Sequence, residues 1–292
     1  MPRNLYLIHN PVAGWLKRNK LARLLKMLRE KGYRFHLRAT ERAGHAESLA
    51  SELSSNDADI IVVAGGDGTI CEVANGVRPD HPPLAFLPLG TANVLAWEIG
   101  IGPNPKRALR AIETGEVRTI YPGLVDGRKF LLMASAGIDA RVVATAHGPL
   151  KKTFGQLGFV IAALKEIATR QSDPIVADVD GVTVKADLIV VTRAKRYGGP
   201  FVIAPEADLT EPGLWVIAPK RRGRLALLRY GIALVFGKLA YLDDVLVTKA
   251  EAVTFTGPAG HPVQVDGDAY TQIPATVTAS QEEIKLVYPS DG

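Results

Sequence analysis

The stretch from Asp59 to Gly76, DIIVVAGGDGTICEVANG, constrains the fold more than any other part of the chain. Asp59-Ile60-Ile61-Val62-Val63-Ala64 is apolar and β-branched, with no polar alternation. A strand of that kind is buried on both faces, as in a parallel sheet covered by helices. Gly65-Gly66-Asp67-Gly68 breaks it with three glycines in four positions, which lets the chain turn sharply and brings a ligand close to main-chain N–H groups. Thr69 to Asn75 reads as the start of a helix, with Glu72 in its first turn. Strand, glycine turn and helix N-terminus together suit a phosphate, because N–H groups and the positive end of the helix dipole meet there. A carboxylate inside the turn, Asp67, would repel a bare phosphate, so its presence points to a divalent cation between the two. The bland alternative is a tight turn closing a core strand. The strand before it, the helix after it and the acid within it favour phosphate.

The flanking segments repeat the alternation of strand and helix. Leu5-Tyr6-Leu7-Ile8 is a strand ending in the turn His9-Asn10-Pro11-Val12-Ala13-Gly14. Leu21, Leu24, Leu25 and Leu28 fall at helical spacing, and Gly32 closes that helix. Tyr33, Phe35 and Leu37 alternate in a strand that ends near Thr40, and Ala46, Leu49, Ala50 and Leu53 mark a second amphipathic helix. Pro83 to Leu87 is a fourth strand, followed by Pro88-Leu89-Gly90-Thr91-Ala92-Asn93 and a helix from Val94 to Glu98. The order β-α-β-α-β-α-β-α argues for a parallel, helix-covered sheet, and such sheets bind ligands at the carboxyl ends of their strands. Asn10, Thr40, Gly65 to Thr69 and Thr91 all fall at those ends.

Beyond a short helix around Ala108 to Glu113 the pattern changes. Val117 to Val125 and Lys129 to Ala134 read as strands joined by the hairpin signal Asp126-Gly127, and Ile175 to Val179 and Val182 to Thr192 repeat this around Asp180-Gly181. Further short strands are expected at Phe201 to Ile203, Leu214 to Ile217, Ala252 to Phe255, Val263 to Val265, Ala275 to Val277 and Ile284 to Tyr288. Helical stretches near Leu157 to Thr169 and Arg224 to Ala240 interrupt them. This half reads as a separate antiparallel β-domain of sandwich or barrel type. The boundary falls near Arg118 to Pro122, giving an α/β domain over 1–120 and a β-sandwich domain over 121–292 whose last strand is free to pack back toward the first domain. No sequence repeat or low-complexity linker intervenes, so the domains are expected to pack closely around a cleft.

With 292 residues, 47% hydrophobic and 22% charged, the composition is that of an ordinary soluble protein with a real core. The single cysteine, Cys71, excludes an intrachain disulfide and reads as a small packed residue, since no base is visible beside it. The first residues run straight into a strand without a signal peptide, and no run reaches the roughly 20 apolar residues of a membrane span. A cytoplasmic protein is expected. The net charge of +5 is clustered at Lys17, Arg18, Lys20, Arg23, Lys26, Arg29 and Lys31, and again at Lys220, Arg221, Arg222 and Arg224. Each cluster suits either a solvated face or a polyanion such as a nucleotide or anionic lipid. Nucleic acid is disfavoured, because no aromatics interleave the basic residues.

GGDGT at Gly65 to Thr69 resembles a motif shared by NAD kinases, by diacylglycerol and sphingosine-type lipid kinases and, distantly, by phosphofructokinases. The flanking motifs are similar to those of the diacylglycerol kinase catalytic family: Asn10-Pro11-Val12-Ala13-Gly14, Thr40 with Ala46 and Ala50, GGDGTICEVANG at Gly65 to Gly76, and PLGTANVLA at Pro88 to Ala96. In the second half Ser135-Ala136-Gly137-Ile138-Asp139-Ala140, Tyr197-Gly198-Gly199 with Ala204-Pro205-Glu206-Ala207, and Val265-Asp266-Gly267-Asp268 resemble further segments of that family. The resemblance covers nearly the whole chain. It implies a phosphofructokinase-like α/β domain, a C-terminal β-sandwich, ATP between them, and transfer of the γ-phosphoryl group to a lipid hydroxyl. Carried over, Asn10, Thr40, Gly65, Gly66, Asp67, Gly68, Thr69 and Thr91 contact the nucleotide, Asp67 acts on the phosphates through Mg2+, and Asp268 stands where the family has its general base. Such a base takes the proton of an alcohol that barely ionises at neutral pH. Val-Asp-Gly occurs three times, at Val125, Val179 and Val265, and on that pattern alone Asp268 is a turn residue. The resemblance is what makes it a base.

One departure stands out. Where the family carries D-D-G or N-D-G near a second-domain metal site, this chain has Glu211-Pro212-Gly213, with proline in place of the ligand aspartate, so that either a structural magnesium is absent or Glu211 or Asp208 supplies its carboxylate. A lipid acceptor implies peripheral contact with a membrane surface. Arg221 to Lys238 is apolar with basic flanks, which fits both an interfacial helix and a helix packed on the sandwich. Gly231 to Lys238 has only a superficial phosphate-loop look, since the spacing is wrong and Leu239 follows the lysine. Gly155 to Ile167 suits an acyl pocket or plain core, and a free edge strand in the second domain would let two chains pair as a homodimer. Two other functions remain open at this point: an NAD kinase-like enzyme with a soluble acceptor, against which NPVAG and PLGTANVLA argue, and a non-catalytic nucleotide- or lipid-binding protein.

Overall fold

The computed structural model of the chain describes residues 4–13, 18–145 and 174–290. Gly14, Lys17, the stretch from Gly155 to Ile167 and the helix expected from Leu157 to Thr169 lie outside the described residues. The chain divides into two units, Met1–Ile120 with Glu282–Gly292, and Tyr121–Gln281.

The first unit is built on β1 (Asn4–His9), β2 (Arg34–Ala39), β3 (Ile60–Gly65), β4 (Leu84–Pro88), β5 (Glu116–Ile120) and, from the other end of the described chain, β20 (Ile284–Tyr288). Their order in the sheet is β2-β1-β3-β4-β20-β5. All pair in parallel except β5, which runs antiparallel to β20. Every residue of β3 and β4 is buried, as their unbroken apolar runs require. The helices are α1 (Arg18–Glu30), α2 (His45–Ser51), α3 (Asp67–Gly76), α4 (Val94–Glu98) and α5 (Pro105–Thr114). Leu24 and Leu28 of α1, Ala46 and Leu49 of α2, Ile70 and Val73 of α3, and Leu109 and Ile112 of α5 are buried, at the 3.6-residue spacing of a one-sided helix.

The second unit is antiparallel. Its strands are β6 (Gly123–Val125), β7 (Arg128–Phe130), β8 (Met133–Gly137), β9 (Ile175–Val179), β10 (Val182–Ala186), β11 (Leu188–Thr192), β12 (Arg196–Tyr197), β13 (Phe201–Val202), β14 (Leu214–Pro219), β15 (Val245–Ala250), β16 (Ala252–Gly257), β17 (Pro262–Val265), β18 (Asp268–Gln272) and β19 (Ala275–Ala279). Two six-stranded sheets form, β10-β9-β16-β19-β6-β7 and β15-β14-β11-β8-β17-β18. Their alternate residues enclose one core that includes Phe130, Ile189, Val216, Phe255, Val263 and Val277. Among the described residues two α-helices accompany them, α6 (Ile138–Thr145) and α7 (Arg224–Val235).

Several expected strands are each two. Val117 to Val125 breaks at Tyr121-Pro122, where the chain leaves one sheet for another. Lys129 to Ala134 breaks at Leu131-Leu132, whose N–H groups turn to the Asp266 carboxylate. Val182 to Thr192 breaks at Asp187, which accepts from Gly223 N–H and from the Arg222 guanidinium. The strands β12, β15 and β18 and the helix α6 are additions to the sequence reading.

The three Val-Asp-Gly segments share one device. Asp126, Asp180 and Asp266 have φ of 48°, 46° and 48°, and the glycine after each has φ of 86° or 87°. Two successive left-handed residues make the two-residue turn that matches strand twist, and Asp-Gly is its preferred pair. Each aspartate then presents its carboxylate to a neighbouring strand's main chain. Asp126 accepts from Thr276 N–H, Asp180 from Glu251 and Ala252, and Asp266 from Leu131, Leu132 and Met133. The turn ends at Gly267. Asp268 is therefore not a turn residue: it opens β18, paired with Val265.

Candidate active site

Four strand ends of the first unit meet around the start of α3. Asn10 follows β1, and its amide N–H is bonded to the Ala64 carbonyl of β3 at 3.0 Å. The Asn10 side chain donates from Nδ2 to Thr69 Oγ1 at 3.1 Å, and its Oδ1 accepts from the N–H groups of Val12 (3.0 Å) and Ala13 (3.3 Å). The first turn of the chain is thus tied to the first turn of α3. Thr40 is buried at the end of β2, with its N–H on the His9 carbonyl at 2.8 Å.

The glycines are set by close contact between two turns. Gly65 O accepts from Leu89 and Gly90 N–H, which draws the turn after β4 against the turn after β3. A Cβ on Gly90 would lie 2.6 Å from the Gly66 Cα, and one on Gly66 would lie 3.3 Å from the Gly90 Cα. For Gly65 and Gly66 the sequence points to a ligand's approach, and the structure adds an internal reason at Gly66 and Gly90: two backbones cross where only glycine fits. Gly76 at the far end of α3 is equally constrained, since a Cβ there would fall 2.1 Å from the Glu47 carbonyl of α2.

Asp67, the first residue of α3, accepts from Val94 N–H on Oδ2 at 2.9 Å and from Leu95 N–H on Oδ1 at 3.0 Å. It therefore caps α4, placing a negative charge on the N–H groups that a helix leaves without internal acceptors. Glu72 does for α2 what Asp67 does for α4, accepting from Ala46 N–H at 3.2 Å. The motif from Gly65 to Gly76 thus anchors the first turn of the chain, α2 and α4 at once. Thr91 is exposed beyond β4, and buried Asn93 donates to the Gly90 carbonyl at 2.8 Å. Its Oδ1 has no hydrogen-bond partner among the described residues and faces the Gly90 Cα. Cys71 is buried, and its carbonyl accepts from the Asn75 amide at 2.9 Å.

In the second unit Asp268 is exposed at the head of β18. The strand pair carries a register shift between Val263 and Gln264, a bulge of the kind that re-aims side chains near functional sites. Sequence reasoning assigned no role to Asp139, which is buried in the first turn of α6. It accepts from Ser135 Oγ (2.5 Å), Tyr197 OH (3.1 Å) and Ala140 N–H (2.6 Å). Burial outweighs these bonds and pushes its carboxyl up to about 6, while the Tyr197 hydroxyl is pushed well above its ordinary value, first by burial and then by Asp139.

The loop at Asp208 to Gly213 does not fit a resident cation. The buried Arg193 guanidinium already points into it, donating to the carbonyls of Asp208, Leu209 and Glu211, and on its other side to Tyr121 O at 2.8 Å. Burial lowers this guanidinium to about 10, with Asp208 and Glu211 acting in the opposite sense. Asp208 Oδ1 accepts from Thr210 N–H and Oγ1, and the Glu211 side chain is exposed. Among the described residues no three His, Cys, Asp or Glu side chains gather to hold a metal ion.

Residues 4–125 match the model of the diacylglycerol kinase catalytic domain, and residues 133–288 match that of the YegS C-terminal NAD kinase beta sandwich-like domain. A diacylglycerol kinase of Bacillus subtilis (strain 168) is 27% identical over 291 residues, covering 98% of this chain and 96% of the relative. One from Staphylococcus carnosus (strain TM300) is 24% identical and covers 100% of this chain and 97% of its own length. The crystal structure of a diacylglycerol kinase from Bacillus anthracis str. Sterne superposes with a TM-score of 0.76 at 23% identity, over 98% of this chain and 97% of the other, a likeness of fold.

Proposed function

The chain belongs to the diacylglycerol kinase catalytic-domain family and is a lipid kinase, and on that premise we propose that it phosphorylates the hydroxyl of a diacylglycerol-like lipid with Mg-ATP, using Asp268 as general base. The observation that carries the reading is the convergence of Asn10, Gly66, Asp67, Thr69 and Gly90 on the N-terminus of α3. The crossing at Gly66 and Gly90 holds two turns of main chain together beside that N-terminus, where N–H groups suit a triphosphate. Asn10, Thr40, Gly65 to Thr69 and Thr91 are the residues to hold it. Bound Mg-ATP supplies the phosphoryl group and the cation that offsets its charge. Asp67, fixed by its two bonds to α4, supports the cation without changing position. Asp268 takes the proton of the lipid hydroxyl as that oxygen is phosphorylated. The turn does not need Asp268, since the other two Val-Asp-Gly hairpins place Arg128 and Val182 at its position. No cation is assigned to Glu211.

Helix α7 supports peripheral membrane contact. Among the described residues no helix is long and apolar enough to cross a membrane. Instead Leu225, Ile232, Val235 and Phe236 of the α7 region are 84%, 52%, 59% and 74% exposed, so the helix leaves an apolar face uncovered while Leu227 and Leu234 are half-buried. Its buried residue is Tyr230, whose hydroxyl donates to Asp244 at 2.9 Å. Arg221, Arg222, Arg224 and Lys238 flank the apolar residues, the arrangement of an interfacial helix on an anionic bilayer.

The reading is tested with labelled Mg-ATP and mixed micelles of diacylglycerol, phosphatidylglycerol, undecaprenol, sphingosine or ceramide, with NAD as a soluble acceptor. Labelled diacylglycerol is expected. Labelled NAD in place of any lipid would overturn the assignment.

A further inference from the structure

The β17–β18 hairpin is held by a buried polar chain running across the sheet. Gly267 N–H donates to Gln264 Oε1 at 2.8 Å. Gln264 Nε2 donates to Ser135 Oγ at 2.7 Å, and these two residues are direct register partners on β17 and β8. Ser135 Oγ–H donates onward to Asp139 Oδ2, which also accepts from Tyr197 OH. Ser135 and Gln264 are 0% and 3% exposed, on the face of their strands opposite Ala134, Ala136, Val263 and Val265, which line the sandwich core. Stability alone gives little reason for such a chain. Apolar residues of the same size across one strand pair serve a core at least as well, and a buried carboxyl carries a desolvation cost.

What the chain fixes is the Asp266–Gly267 peptide, through its N–H. Asp266 is separately locked by three main-chain N–H groups, and the bulge lies on the other side of Gln264. The residue framed by these restraints is Asp268. In the hairpins at Asp126 and Asp180 the position matching Gln264 is held by Leu124 and Asp178, and there Asp178 accepts from Gly181 N–H at 2.9 Å within its own hairpin. At the third hairpin alone the bond to the turn glycine continues onto a buried side chain of the next strand.

We propose that Gln264, Ser135 and Asp139 are positioning residues for Asp268, fixing the Asp266–Gly267 peptide of the turn that leads into it and thereby the direction of its carboxylate. This rests on Asp268 being the base. Misplacing a catalytic group by about an ångström costs on the order of 100-fold in rate. Gln264→Met, similar in length but unable to bond Gly267, is expected to lower kcat by roughly that factor while leaving the KM for ATP within about twofold. Gln264→Glu, which keeps an acceptor for Gly267, is expected to retain more of the activity. In the Asp268→Asn background Gln264→Met should cost nothing further, because a positioning residue has no effect once the group it positions is gone.

Loss of activity in Asp268→Asn, loss in Gln264→Met and no added loss in the double variant would support the inference. If Asp268→Asn is inactive while Gln264→Met turns over like wild type, or if the two losses multiply, the positioning role is refuted and the base assignment stands. If Asp268→Asn is fully active, both fail. Should Gln264→Met not fold, Ser135→Ala removes a single oxygen from the same chain and is read in the same way.

Discussion

Replacing Asp139 with asparagine should change how stability depends on pH, and the sign follows from burial. The native carboxyl is raised from 3.8 to about 6, chiefly by desolvation. Between those values the folded protein holds a proton that the unfolded chain has released. Stability from this group is therefore fully present below the unfolded value and is lost as pH rises through about 6. Integrated from about pH 4 to about pH 7, the loss is about 2 kcal/mol, since each pK unit is worth about 1.4 kcal/mol. Tyr197 stays neutral throughout that window, because its hydroxyl is pushed the other way. Asp139→Asn does not titrate, so subtracting its stability from that of wild type at each pH cancels every other carboxylate. The measurement is urea unfolding of both proteins across that range, read on the transition that reports the second unit. The difference should fall by about 2 kcal/mol in the disfavour of wild type as pH rises. A flat difference, or one that rises, would mean that the bonds from Ser135, Ala140 and Tyr197 outweigh desolvation, and would refute the reasoning.

Asp266→Ala should cost about 2 to 4 kcal/mol, because three main-chain N–H groups lose their acceptor, against about 1 kcal/mol for Asp126→Ala, where one does; thermal unfolding of the two variants compares them. Gly90→Ala forces apart the turns after β3 and β4, since the new Cβ would lie 2.6 Å from Gly66. Weakened ATP binding by titration calorimetry is the expected result, and unchanged affinity would remove this crossing from the nucleotide site. Ile232→Asp with Val235→Asp should lower co-sedimentation with anionic vesicles and raise the KM for micellar lipid, while leaving the KM for ATP in place.

Much of the first unit was legible because its signals are local. The apolar run Ile60 to Ala64, the glycine break and the helix at Val94 to Glu98 each lie within a dozen residues, and all three are found. Long-range partners were not legible. Asp67 reaches Val94 and Leu95 of α4, and Glu72 reaches back to Ala46, through bonds with no periodic trace. A motif that reads as ligand-binding is therefore also the anchor of two other helices. In the second unit the Asp-Gly turns were visible, but the strand breaks at Tyr121, Leu131 and Asp187 were not. Each break is made by tertiary bonds to residues far along the chain, or by a change of sheet, within segments that stay apolar. Asp268 shows both sides: counting a two-residue turn places it on a strand, whereas reading Val-Asp-Gly-Asp as one unit places it in the turn. The chain from Gly267 to Asp139 joins residues more than a hundred positions apart, and only the register of β8 against β17 reveals it.

Phosphoryl transfer from labelled Mg-ATP to diacylglycerol in mixed micelles, for wild type beside Asp268→Asn and Asp67→Asn, tests the proposed chemistry most directly. Labelled lipid from wild type is expected, with turnover reduced by at least about 100-fold in Asp268→Asn while ATP affinity is unchanged, and with both turnover and ATP affinity reduced in Asp67→Asn. Undiminished turnover in Asp268→Asn would contradict the assignment of the base, and ATP binding by wild type without transfer to any lipid would contradict the proposed reaction itself.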